Sequence, residues 1–254
     1  VWGYEMVSLW ENWRQGMGKW PKFDTVGGPS TYAVELTKRN SVLSLTKQGS
    51  DTGSLQVNLS WRMRSSDMTG RAYRGSSLRH PLRAFKPEVV QAHTQGVVNV
   101  DLDLACMYEL VDGSKGVVQP LGKLFGDFHA PPFVKLTGDD RFGSPSGETI
   151  YVNLDHKDEI RRMLFFVYIY DNTPAFDRAN ALLTLIPGNG VRVEVAVDQH
   201  APQARSCAVL LMEHDNKGDL VVRREVRYVY GFQSELDRLY GWGLQWGRGY
   251  KSKI

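Results

Sequence analysis

From Val34 onward, apolar and polar residues alternate in short runs that stop at glycine, proline, serine and asparagine. In "SLQVNLSW" the residues Leu55, Val57, Leu59 and Trp61 share one face, and in "VVNVDLDLACMY" so do Val98, Val100, Leu102, Leu104, Cys106 and Tyr108. "VRVEVAVD" repeats the pattern with Val191, Val193, Val195 and Val197. A period of two predicts strands with one buried face. "SCAVLLMEHDNKGDLVVRREVRYVYG" predicts a hairpin turning at "DNKGD". Two short stretches predict helices, "DHKDEIRRM" and "QSELDRLYG"; the second stops before Gly241, as a helix C-terminus prefers. Strands at this spacing, with few long helical patterns between them, predict an all-β fold. Its form is a β-sandwich of two antiparallel sheets with a few short helices.

The first thirty residues follow a different period. "EMVSLWENWRQGMGKW" sets Met6, Leu9, Trp10, Trp13, Met17 and Trp20 at steps of three and four, one apolar stripe on a helix. We read residues 1–30 as an N-terminal amphipathic arm that packs on its own domain or on another subunit, the latter giving a homo-oligomer through the tryptophan stripe. Its polar face has few cations for an anionic lipid surface. "TVGGPST" reads as a turn or linker into a domain over residues 31–254, with a basic insertion at 62–88. The longest apolar runs, "MLFFVYIY" and "CAVLLM", are of strand length, so no integral membrane span is expected. No signal peptide is visible, and because the chain opens on Val1 this says little about export.

Composition changes this picture in two places. The 254 residues are 42% apolar, enough for a sizeable core, and Cys106 and Cys207 both sit inside apolar runs. Small buried hydrophobes in a reducing, cytoplasmic setting are the expectation for both cysteines. The net charge of +3 is unevenly spread: between Arg62 and Lys86, six arginines and one lysine face the single Asp67, so this segment contributes +6 and the rest −3. A solvated insertion is the simpler reading. The alternative is a polyanion- or partner-binding module using Arg71, Arg74, Arg79 and Arg83. Nucleic acid is disfavoured, since only Tyr73 and Phe85 offer stacking there and no known binding module surrounds them.

The candidate chemistry is acidic. The apolar residues of "VVNVDLDLACMY" share one face, so Asp101 and Asp103 share the other, about 7 Å apart along the strand. "KLTGDDRFGSPSGE" adds Asp139, Asp140 and Glu148 around a Gly/Ser/Pro loop. Such a gathering of carboxylates either stays open in water or is neutralised by a cation. Calcium, which takes six to eight oxygens, suits flexible acidic loops. The spacing is not that of a helix-loop-helix calcium hand, so a site would be assembled from separate strands and loops. A metal-dependent hydrolase using the same acids is the alternative from another class. The six histidines are scattered, with no HExxH, no zinc-spaced cysteine pair, no Walker loop and no dinucleotide GxGxxG.

Four segments carry a resemblance: "VELTKRNSVLSLTKQG", "VDLDLACMYEL", "LTGDDRFGSPSGETIYVNLDH" and "REVRYVYGFQSELDRLYGWGLQWGRGYK". In this order they resemble the TerD-like family of tellurium-resistance and bacterial stress proteins, nearest to its TerA-type branch, whose members end in a similar "DRxYGWGLxW" stretch. The resemblance implies a calcium-binding β-sandwich without catalytic activity, working in the cytoplasm near the inner membrane face as a scaffold or sensor among other proteins of a stress-response assembly. Asp101 and Asp103 match the family's "DLD" element, and Asp139 and Asp140 the "GDD" after its "TG". Glu148 matches the last acid of a loop that is longer and more acidic in many relatives. Ser144 and Ser146 stand where charge would help hold a second ion, so one calcium is expected.

Overall fold

The computed structural model describes residues 33–61, 101–137, 147–170, 176–201 and 203–247. The predicted arm, the arginines of the basic insertion and the aspartates at 139 and 140 lie outside them. Thirteen strands occur among the described residues: β1 (Ala33–Glu35), β2 (Val42–Ser44), β3 (Ser54–Ser60), β4 (Leu102–Leu110), β5 (Lys115–Val118), β6 (Gly126–Asp127) and β7 (Val134–Leu136), then β8 (Glu148–Asn153), β9 (Ile160–Ile169), β10 (Ala181–Pro187), β11 (Arg192–Val197), β12 (Ser206–His214) and β13 (Leu220–Val229). They form a seven-stranded sheet, β1-β11-β10-β3-β8-β7-β6, and a six-stranded sheet, β2-β13-β12-β9-β4-β5. All pairings are antiparallel except β1 with β11, which is parallel.

The predicted alternations hold where the structure describes them. Leu55, Val57, Leu59 and Trp61 from the first sheet, and Leu102, Leu104 and Cys106 from the second, point into one apolar core with Val193, Val195 and Val197. Both cysteines are free and buried. β12 and β13 form the expected hairpin, and its "DNKGD" turn is held by Asp215 Oδ1, which accepts the amides of Lys217 (2.8 Å) and Asp219 (3.0 Å).

The second sheet also buries its outer face. Ala105, Met107, Leu164, Phe166, Tyr168 and Ala208 pack there beneath Leu236 and Trp242. Two covered faces explain why "MLFFVYI" in β9 is apolar without alternation. That same strand corrects one expectation. "DHKDEIRRM" is not a helix: a 3-10 turn covers Leu154–Glu159, and Ile160 already opens β9. The Asn153 side chain accepts the Asp155 amide and starts the turn, but the ladder to β4, with Glu109 opposite Arg162, draws the rest into the sheet. Among the described residues the α-helices are α1 (Phe176–Ala179), which the pattern did not predict, and α2 (Gln233–Tyr240), which it did; α2 ends on Gly241 at φ 64°, in the left-handed region.

Candidate metal centre

Glu148, the last acid of the second motif, meets the first motif at the start of β4. Strand alternation turns Leu102 and Leu104 into the inter-sheet core and sends Asp103, with Ala105 and Met107, to the outer face, opposite Tyr168 in the ladder. Asp103 is completely buried and Asp101 nearly so, and the Asp101 carbonyl accepts the Tyr170 amide at 3.2 Å. β5 pairs with β4 only from Cys106 onward, so among the described residues no strand covers the edge that the Leu104 amide faces. Glu148 fills that edge. It leaves β8 on the core side, shared with Ile150 and Val152, and its Oε2 accepts the Leu104 N–H at 2.6 Å. A carboxylate accepting a backbone N–H is a strong, charge-assisted bond, and this one ties the first sheet to the second one residue from Asp103.

Thr137 and Gly147, the described residues on either side of positions 138–146, lie at the same place. β7 and β8 are hairpin partners, and Thr137, just past β7, donates both its amide (3.0 Å) and its hydroxyl (3.1 Å) to the Thr149 carbonyl. Gly147 has φ 61°, and a Cβ there would lie 1.9 Å from the Leu59 carbonyl oxygen, so a side chain cannot be accommodated. Thr137 and Gly147 therefore both sit near Glu148. Among the described residues, no three His, Cys, Asp or Glu form a group that could hold a metal. Asp101 and Asp103 share a face, Glu148 meets β4 from the opposite side, and Asp139 and Asp140 fall outside the described residues, as do Arg71, Arg74, Arg79 and Arg83. Among the described residues the side-chain donors here are carboxylates, a chemistry that suits calcium better than a metal that seeks thiolate or imidazole.

The other half of β4 carries a second buried carboxylate cluster, which sequence reasoning did not single out. Glu109 receives Arg162 Nε at 2.7 Å, with Lys115 and Arg161 nearby. Burial pushes its carboxyl up, but the hydrogen bond and charge of Arg162, with those of the other two cations, outweigh this and hold it below its ordinary value. The Arg162 guanidinium lies 3.9 Å over the Trp242 ring and donates to the Tyr240 and Gly241 carbonyls, capping the end of α2. Asp237 completes the arrangement. It is 5% exposed, and its carboxylate accepts the Gly243 amide (2.7 Å), the Leu244 amide (2.8 Å) and the Trp246 indole N–H (2.8 Å). An aspartate shortly before "GWGLQW" was the signal available in the sequence; the Glu109–Arg162 pair appears only in the ladder.

The Tellurium resistance protein TerA of an Alcaligenes species is 33% identical to this chain over 219 residues, which are 86% of the chain. The chain belongs to the TerD-like tellurium-resistance family. It spans 58% of the length of that relative. No protein-family model matches it. Two solved structures are similar. The unknown function protein SAV2460 has a TM-score of 0.49 at 17% identity, covering 77% of this chain and 99% of the other. A homologue of the telluride resistance protein TerD from Streptomyces coelicolor A3(2) has a TM-score of 0.43 at 16% identity, covering 73% and 95%. In this TerD-like chain the "DLD" element is the β4 stretch that Glu148 braces, and "DRLYGWGLQW" is the α2 end and loop that Asp237 and Arg162 hold on the outer face.

Proposed function

We propose that this chain is a calcium-binding, non-enzymatic scaffold or sensor in bacterial tellurite and stress resistance. The observation that carries the reading is the 2.6 Å bond from the Leu104 amide to Glu148, which ties the last acid of the second motif to the strand beside Asp103. On this reading Asp101 and Asp103 from β4 and Asp139 and Asp140 from the loop supply the ion's oxygens, and Glu148 holds the two motifs in register. Calcium supplies positive charge among carboxylates that otherwise repel one another. The chain's own residues then order one surface of the sandwich for recognition by other proteins of the assembly. The similarity to a tellurium resistance protein supports the biological setting. Among the described residues no helix is long and apolar enough to cross a membrane; we place the protein in the cytoplasm, peripheral to the inner membrane face.

Calorimetric titration of the purified chain with calcium tests this directly. One saturable site with weaker binding of magnesium is expected, because magnesium demands octahedral geometry and gives up its waters reluctantly. Equal affinity for both ions, or no heat with calcium, rejects the site.

A further inference from the structure

A cavity of about 630 Å³ opens on the outer side of the second sheet, between the end of β9 and the start of α2. Its walls are aromatic, from Tyr168 and Tyr170 on one side and Phe232 and Trp246 on the other. Two glutamines line it as well. Gln119 is 7% and Gln233 6% exposed, and Gln233 Nε2 donates to Gln119 Oε1 over a long 3.4 Å. A primary amide offers up to four hydrogen-bonding positions, and buried ones are ordinarily used. Neither amide has another side-chain hydrogen bond among the described residues, which leaves Gln119 Nε2 and Gln233 Oε1, a donor beside an acceptor, at the cavity wall.

We propose that this cavity binds a small, uncharged amphipathic molecule with an amide-type head, a carboxamide or lactam, on an aromatic body. The volume lies within the range of small-molecule sites. Among the described residues no Asp, Glu, Lys or Arg lines the cavity, so a charged head would be desolvated there without a counter-charge from them. A wholly apolar guest would strip water from the glutamines and return nothing. An amide answers both: its carbonyl accepts from Gln119 and its N–H donates to Gln233, while its ring packs between the aromatic walls. This site uses none of the acids assigned to calcium, so the two readings stand or fall separately.

Saturation-transfer NMR on the full chain, in calcium-free buffer, tests the proposal with four matched probes: naphthamide, naphthoate, naphthylmethylamine and methylnaphthalene. Naphthamide is expected to bind about tenfold more tightly than the other three, and the double substitution Gln119→Leu with Gln233→Leu to remove that preference. Should the double variant fail to fold, Gln119→Met alone is expected to reduce it. Phe232→Ala, at a wall residue 58% exposed, is expected to weaken all four probes without changing their order. Equal binding of the acid or the amine, no binding of the amide, or a preference that survives the glutamine substitutions overturns the assignment.

Discussion

The two halves of β4 bury carboxylates in opposite ways. At the Glu109 end the protein meets its acids with its own donors: Arg162, Lys115 and Arg161 around Glu109, and two amides and an indole around Asp237. At the Asp103 end two aspartates stand two residues apart on one face, and Glu148 reaches in from the other sheet. The first arrangement is held by bonds within the chain and reads as structure. The second sets Asp101, Asp103 and Glu148 on and beside one stretch of strand, and the proposed calcium reading rests on it.

Breaking the Glu109 end should have the largest effect. Asp237→Ala strands three donors and is expected to cost about 3 kcal/mol, a fall in melting temperature of roughly 6–12 °C for a chain of this size, while leaving calcium binding in place. Loss of calcium binding in this variant would mean that the two ends are one unit. The acidic end should respond to the ion: calcium at about a hundred times its dissociation constant is expected to add about 2.7 kcal/mol of stability, readable by calorimetric melting. Asp103→Asn should abolish that increment, and an increment that persists would remove Asp103 from the ion's shell.

Two smaller effects sharpen the contrast. Glu148→Gln keeps an oxygen for the Leu104 amide but loses the charge, so about 1 kcal/mol of stability should go; calcium affinity should drop in the same titration. Glu109 separates the ends by pH. Its folded carboxyl is held below the ordinary 4.5, so its contribution is present above that value and is lost as pH falls through the lower folded value. Melting curves of wild type and Glu109→Gln should differ near neutrality and converge on acidification below about pH 4.5. A gap that widens in acid would reverse the sign and refute the pairing.

How much of this was legible in the sequence varies from residue to residue. Strand alternation at Leu55, Val57 and Leu59 could be read directly, because each residue's face depends only on its parity along one strand. So could the β12–β13 hairpin and the α2 stop at Gly241, where local backbone chemistry decides. "DHKDEIRRM" misled, because Arg162 has its place through a partner 53 residues earlier. Gln119 and Gln233 carried no signal at all: two glutamines 114 residues apart say nothing until the fold buries both against one cavity.

By itself the sequence determined the fold class, the hairpin, the terminal helix, the burial of both cysteines and the acidic motifs, because these rest on short-range periodicity and on residue chemistry. Only the tertiary structure decided that Glu148 spans the two sheets to the Leu104 amide, and that the outer face of the second sheet, which bears Asp103, is covered. Those depend on contacts such as the 44 residues between Leu104 and Glu148. No local pattern encodes such a contact, because its energy exists only once both sheets have packed.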